Sequence, residues 1–152
     1  MNSYFQFKQF TVHQQLCAMK VCTDSCLFGA FVAANLNGKN ILDIGSGTGL
    51  LGLMLAQTFK GNITAVELDT NAYEQSKQNF AASPWQERLH IIQGDITQVQ
   101  LDPHFDLIIS NPPFFENDLR SDDHGKNAAK HDTTLTLDAL MLAVDKHLSA
   151  EG

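Results

Sequence analysis

Four short apolar runs punctuate the chain: Ile41–Ile44 (ILDI), Ile63–Val66 (ITAV), Leu89–Ile92 (LHII) and Phe105–Ile109 (FDLII). They are rich in β-branched residues and lack clean polar alternation, which predicts strands buried on both faces. Longer stretches with helical spacing lie between them. Leu50–Phe59 is apolar nearly all round and predicts a well-buried helix. Asn71–Ala82 follows Asp69 and Thr70, whose side chains can accept from the free amides of a first helical turn, and Pro84 ends it. Leu137, Leu140, Met141, Val144 and Leu148 share one face of a last helix, with Thr134 or Thr136 as its cap. A further helix, Cys26–Leu36, has Thr23, Asp24 and Ser25 at its start. Strands and helices in alternation predict an α/β, Rossmann-like fold with a doubly wound, mostly parallel sheet. The polar stretch Phe115–Thr133 has no period and reads either as an active-site lid or as a plain excursion.

Composition narrows the class. A length of 152 residues, 43% hydrophobic and 18% charged, is enough for a core that needs no disulfide or metal. Residues 1–40 read as a lid segment and first helix, and 41–152 as the main domain. No run approaches the roughly 18 apolar residues of a membrane span, and the N-terminus lacks a basic-then-apolar secretory pattern, so a cytoplasmic protein without a membrane partner is expected. Cys17, Cys22 and Cys26 match no zinc spacing and predict buried free thiols in a reducing compartment. His124 and His131, with Asp122, Asp123 and Asp132, have no ligand spacing either, so no metal is expected. Seventeen acids against ten bases give a net charge of −7, which argues against broad, charge-driven nucleic-acid binding. It leaves room for a local basic rim, for which Lys8, Arg120, Lys126 and Lys130 are candidates.

Chemistry enters at the ends of the predicted strands. Asp43-Ile44-Gly45-Ser46-Gly47-Thr48-Gly49 joins the first strand to the buried helix. Its glycines permit a tight turn and let a ligand approach backbone amides. Gly47, Gly49 and Gly52 also satisfy the dinucleotide spacing, with Glu67 about 20 residues on, which makes NAD a competitor. Three features favour S-adenosylmethionine. Asp43 would face a cationic ligand and repel a pyrophosphate. Glu67, in Val66-Glu67-Leu68-Asp69, can accept both hydroxyls of a ribose. Asp95, in Gly94-Asp95-Ile96, can accept from an adenine amine while Ile96 packs on the ring. Lys20, with Thr23, either lies over the cofactor in the N-terminal lid or is a solvated lysine beside a helix cap.

The fourth strand runs into Ser110-Asn111-Pro112-Pro113-Phe114. Consecutive prolines fix φ and remove two N–H donors, so their carbonyls are free to point at a ligand. The Asn111 amide oxygen and the Pro112 carbonyl can accept both hydrogens of an exocyclic amine and aim its lone pair at a methyl sulfonium. Phe114 offers a flat face on which a flipped base can stack. Catalysis is then mainly positioning in a dry site.

On these residues the chain resembles the class I S-adenosylmethionine-dependent amino-methyltransferases. More closely, it resembles the bacterial tRNA(Val) adenine-N6 methyltransferase family. The resemblance is carried by Phe5-Gln6-Phe7-Lys8-Gln9-Phe10, Cys17-Ala18-Met19-Lys20-Val21 with Thr23-Asp24, the loop from Asp43 to Gly49, Glu67, Ser83-Pro84-Trp85 and Leu107 to Phe114. It implies N6 methylation of a flipped adenine beside the anticodon of a valine tRNA. Cys22 stands where the family usually has glycine, and Phe114 where tyrosine is common. The family fold has seven strands, whereas this sequence reaches only the helix after the fourth. A fragment is therefore expected, truncated there, with the fourth strand an exposed edge open to self-association. The competing functions are a protein-glutamine, ribosomal or DNA amino-methyltransferase, an NAD-linked oxidoreductase, and a non-catalytic cofactor- or RNA-binding module.

Overall fold

The computed structural model describes residues 2–101, 104–112, 135–150 and 152. In chain order the elements are β1 (Tyr4–Gln6), β2 (Thr11–His13), α1 (Thr23–Ala33), β3 (Asn40–Ile44), α2 (Leu50–Ala56), β4 (Asn62–Glu67), α3 (Thr70–Ala81), a 3-10 turn (Gln86–Arg88), β5 (Leu89–Gln93), β6 (Leu107–Ser110) and α4 (Leu137–His147). Four strands form a parallel sheet in the order β5-β4-β3-β6, as the alternating pattern predicts. Strand order reverses between β3 and β6, where Ile44 lies opposite Ser110 and the Ser110 hydroxyl donates to the Ile44 carbonyl at 2.9 Å. Open parallel sheets bind ligands at such a switch point, beyond the carboxyl ends of the strands.

β3 and β4 are covered on both faces because their residues are apolar on both, whereas β5, at the edge of the sheet, keeps His90, Ile92 and Gln93 exposed, against the expectation of burial on both faces. One cluster gathers Ile41, Ile63, Ala65 and Ile109 of the strands with α2 and Phe80 of α3. Leu42, Ile44 and Val66 turn the other way, onto Ile96, Phe105 and, from α4, Leu140 and Ala143. Every residue of α2 is buried, as its unbroken apolar sequence requires. Asp69 caps α3 by accepting the Ala72 N–H at 2.8 Å, and Thr136 caps α4 by accepting that of Ala139 at 3.2 Å.

Three further expectations need correction, and one element has no counterpart among them. Helix α1 begins at Thr23, not Cys26, so Thr23, Asp24 and Ser25 form its first turn instead of preceding it. The buried stripe of α4 is Leu140, Ala143 and His147, while Leu137 and Met141 are 59% and 56% exposed. Phe105 precedes β6 and forms an isolated parallel bridge with Leu148, so pairing begins on the free side of this outermost described strand. The hairpin β1–β2 carries no turn glycine or asparagine and went unread, yet it pairs antiparallel and sends Phe10 and Val12 into the main core. The Phe115–Thr133 stretch lies outside the described residues, as do Arg120, His124, Lys126, Lys130 and His131. No helix among the described residues is long and apolar enough to cross a membrane.

Candidate active site

A cavity of about 370 Å³ opens over the carboxyl ends of β3, β4, β5 and β6. Of the residues singled out in the sequence, Gly45, Gly47, Glu67, Leu68, Asp95, Ile96, Asn111 and Pro112 line it. Strand ends from across the sheet thus converge on one space.

The glycine turn is held by backbone geometry. Gly45, Gly47 and Gly49 have φ of 73°, 55° and 78°, a region closed to most side chains. A Cβ at Gly45 or Gly47 would meet nothing within 4 Å, so both leave open space for a ligand. At Gly49 it would fall 2.6 Å from Ser76 Oγ and 2.7 Å from Phe80 Cε1, so this glycine is required by packing. Ser46, Thr48 and Gly49 shape the turn without lining the cavity. Ser46 and Thr48 are buried, and the Ser46 hydroxyl has no partner among the described residues.

Glu67 organises the turn. Its Oε2 accepts the Gly47 N–H at 2.8 Å and its Oε1 accepts the Asp69 N–H at 3.0 Å. Each carboxylate oxygen keeps a lone pair for an outside donor, which suits a vicinal diol. The same bond disfavours a dinucleotide, because a pyrophosphate seeking the Gly47 amide would meet a carboxylate. At the end of β5, Asp95 Oδ1 accepts from the amide and hydroxyl of Thr97 at 2.8 and 2.7 Å. Ile96 beside it is 4% exposed and presents an apolar surface.

Asp43 is placed differently from its neighbours. It pairs with Ala65 on one side and Ile109 on the other, is fully buried, and has no hydrogen-bond partner for either oxygen among the described residues. Burial first, and the Glu67 carboxylate second, push its carboxyl up to about 7; the Gly52 amide opposes this without reaching hydrogen-bond geometry. It lies beneath the glycine turn and does not line the cavity.

Asn111 follows β6 at the switch point. Its Nδ2 donates to Ser25 Oγ of α1 at 3.1 Å, and its Oδ1 has no hydrogen-bond partner among the described residues. Pro112 beside it contributes a carbonyl. Pro113 and Phe114 lie outside the described residues.

Lys20 and Thr23, like Asp43, Ser46, Thr48 and Gly49, are absent from the cavity lining. The Lys20 ammonium donates to the Gln14 and Cys17 carbonyls, to the latter at 2.6 Å, and so tightens the strap before α1. Thr23 is exposed on the first turn of α1 and neither lines the cavity nor caps the helix. The cysteines also divide: Cys17 is buried, but Cys22 is exposed and Cys26 only half-buried. Missed by sequence reasoning were the wall formed by Cys17, Ala18 and Met19, and the brace from Ser25. Ser25 read only as a helix-start residue, and its contact spans 86 positions that no local pattern encodes. Among the described residues, no three His, Cys, Asp or Glu are grouped to hold a metal ion.

A parallel sheet reversing order beside a glycine turn, with acids at the next two strand ends, defines a Rossmann-like methyltransferase fold. Solved structures agree. The chain is similar to a glycopeptide N-methyltransferase complexed with S-adenosyl-L-methionine (TM-score 0.60, 18% identity, covering 86% of this chain and 50% of the other). It is similar also to a SAM-dependent methyltransferase from Thiobacillus denitrificans in complex with S-adenosyl-L-homocysteine (TM-score 0.60, 20% identity, 86% of this chain and 46% of the other). At such identities the likeness speaks for the fold. The chain belongs to the methyltransferase small domain family, whose profile matches residues 16–139. Among curated relatives, it is 48% identical to the tRNA1(Val) (adenine(37)-N6)-methyltransferase of Cytophaga hutchinsonii, over 99% of this chain and 64% of the relative. It is 46% identical to the protein of the same name from Aeromonas hydrophila, with the same coverage. The chain therefore spans a little under two thirds of the length of these relatives.

Proposed function

We propose that the protein methylates the exocyclic N6 amine of an adenine in tRNA, with S-adenosylmethionine as methyl donor, as the names of its relatives state for them. The observation that carries this reading is Asn111. Its amide nitrogen is held by Ser25, so its oxygen is left for an amine at the mouth of a cavity walled by Glu67 and Asp95.

The donor supplies an electrophilic methyl group on a positively charged sulfur. Glu67 binds the ribose hydroxyls with the lone pairs its backbone contacts leave free. Asp95 accepts from the adenine amine of the cofactor, and Ile96 packs on that ring. Asp43, beneath the turn, favours positive charge above it. Gly45 and Gly47 give the ligand room to reach the backbone. At the substrate end, the Asn111 oxygen and the Pro112 carbonyl accept the two hydrogens of the target amine. This holds its lone pair toward the methyl carbon. S-adenosylmethionine bound there would supply the methyl group, and Asn111 and Pro112 would hold the amine in line with it. Phe114, by its chemistry, is assigned to stack on the flipped base. Such catalysis rests on orientation and exclusion of water, effects that can supply several orders of magnitude. A tRNA substrate supports a cytoplasmic location.

The test is to incubate the protein with S-adenosylmethionine and unmodified bulk tRNA, digest the RNA, and analyse its nucleosides by mass spectrometry. N6-methyladenosine is expected. Cofactor binding without any methylated nucleoside would contradict the RNA assignment.

A further inference from the structure

The buried face of α3 is Ala72, Gln75, Ser76, Asn79 and Phe80, with Gln75 and Asn79 0% and 1% exposed. Two amide side chains one helical turn apart, removed from water, must find partners. Asn79 finds them in the last residue of β2 and in the glycine turn, and Gln75 finds one in the strap that runs between β2 and α1. Asn79 Oδ1 accepts the His13 N–H at 2.9 Å, and its Nδ2 donates to the His13 carbonyl at 2.8 Å, so the side chain pairs with His13 as a neighbouring strand would. The same Nδ2 donates to the Thr48 carbonyl of the glycine turn at 2.8 Å. Gln75 Oε1 accepts the Leu16 N–H at 3.1 Å. At the head of the strap, buried Gln14 reaches across it to accept the Val21 N–H at 2.8 Å. Between these anchors, Cys17, Ala18 and Met19 form the cavity wall that faces Glu67 and Leu68.

From Gln14 to Cys22 the strap has no helix or strand of its own. Ordering such a segment costs conformational entropy, and a ligand that had to order it would bind more weakly for doing so. We propose that Gln75 and Asn79 are positioning residues for the cofactor. They clamp the strap to α3 and to the glycine turn, so that the wall at residues 17–19 stands before the ligand arrives. The proposal rests on the reading of the cavity as an S-adenosylmethionine site. Asn79 is its centre, because a single amide ties the end of β2, from which the strap departs, to the glycine turn.

The test measures S-adenosylhomocysteine affinity by titration calorimetry, for the wild type, Gln75→Met, Asn79→Asp and Asn79→Leu, at a temperature where each variant is folded. Gln75→Met keeps the volume and removes the acceptor. Asn79→Asp keeps the acceptor for His13 and removes both donated bonds. Affinity should fall roughly tenfold in Gln75→Met and further in the Asn79 variants. Leu55→Val, in the core of α2, serves as a control that lowers melting temperature without touching the strap, and it should bind as the wild type does. Amide hydrogen exchange on the wild type adds a readout that no variant's folding can spoil. Cofactor should slow exchange only modestly at His13 and Leu16, already protected by the clamp, and more at residues 17–19. Variants that melt lower yet bind with wild-type affinity would overturn the clamp alone, as would fast exchange at His13 and Leu16 in the free protein. A wild type that binds no S-adenosylhomocysteine would overturn the cofactor reading and the clamp with it.

Discussion

Glu67 Oε2 accepts the Gly47 N–H at 2.8 Å, across 20 residues of sequence, so the acid at the end of β4 fixes the turn at the end of β3. On the proposed reading, one carboxylate thereby shapes the cofactor pocket and supplies its diol acceptor. Glu67→Gln keeps an oxygen for Gly47 and exchanges the other for a donor that repels a hydroxyl proton. Charged hydrogen bonds contribute about 1.5–3 kcal/mol, so S-adenosylhomocysteine affinity should fall ~10- to 100-fold. Calorimetry checks the affinity, and differential scanning fluorimetry should show a far smaller change in the free protein.

Asp43 makes the stability of the free protein depend on pH. Its carboxyl is raised from 3.8 to about 7, by burial and then by Glu67, so the folded state holds this proton more tightly than the unfolded chain does. The associated stability is fully present below about pH 4 and is lost as pH rises toward 7. The loss is of order 4 kcal/mol. Asp43→Asn should remove this slope and be more stable than the wild type above neutrality, which urea denaturation at several pH values would reveal. A cationic ligand favours the ionised form, so wild-type affinity for S-adenosylmethionine should rise with pH through about 7, and that of Asp43→Asn should not.

Glycines of the turn separate by what surrounds them. Gly49→Ala combines a φ of 78° with contacts at 2.6 and 2.7 Å to Ser76 and Phe80, and should cost at least ~2 kcal/mol of stability. Gly45→Ala has a similar φ but empty space around its Cβ, and should cost about 1 kcal/mol. It should instead weaken cofactor binding, because the methyl group enters the cavity. Paired denaturation and binding measurements on the two variants test the distinction.

Cysteine reactivity should follow exposure and hydrogen bonding. The Ser25 hydroxyl, 3.1 Å from Cys22 Sγ, lowers the pKa of that exposed thiol, whereas burial pushes Cys17 up to about 11. Iodoacetamide at neutral pH should therefore alkylate Cys22 more than ~10 times faster than Cys17. Peptide mass spectrometry over a time course reads both rates.

β3 and β4 were legible because strands buried on both faces must be apolar throughout, and ILDI and ITAV stand out in a chain that is otherwise mixed; LHII and FDLII marked strands as apolar runs, although β5 is mostly exposed and Phe105 precedes β6. Helix α3 was legible from its cap at Asp69, and the glycine turn from its spacing. The hairpin was not, since Phe7 and Phe10 close it through one backbone bond at 2.9 Å without the residues that mark tight turns. Helix α4 misled because Leu137 and Met141 have core-like chemistry and exposed positions. In the site, acids at strand ends could be read because strand ends are predictable. Lys20 could not, because its two carbonyl partners lie on a strap without periodicity. The polar pair Gln75 and Asn79 was hidden for a related reason: hydropathy assigns amides to the solvent face, and here they replace missing backbone partners in the interior.

The most direct measurement compares Asn111→Ala with the wild type in two quantities at once, turnover on tRNA at saturating cofactor and affinity for S-adenosylhomocysteine. Losing an acceptor that orients the amine should reduce turnover by at least ~10²-fold, because one preorganised polar contact at a reacting group is commonly of that size. Cofactor affinity should stay within about twofold, since Glu67, Asp95 and the glycine turn are untouched. Turnover retained within a few-fold of wild type in the variant would contradict the account, since the amine would then be held by something other than Asn111.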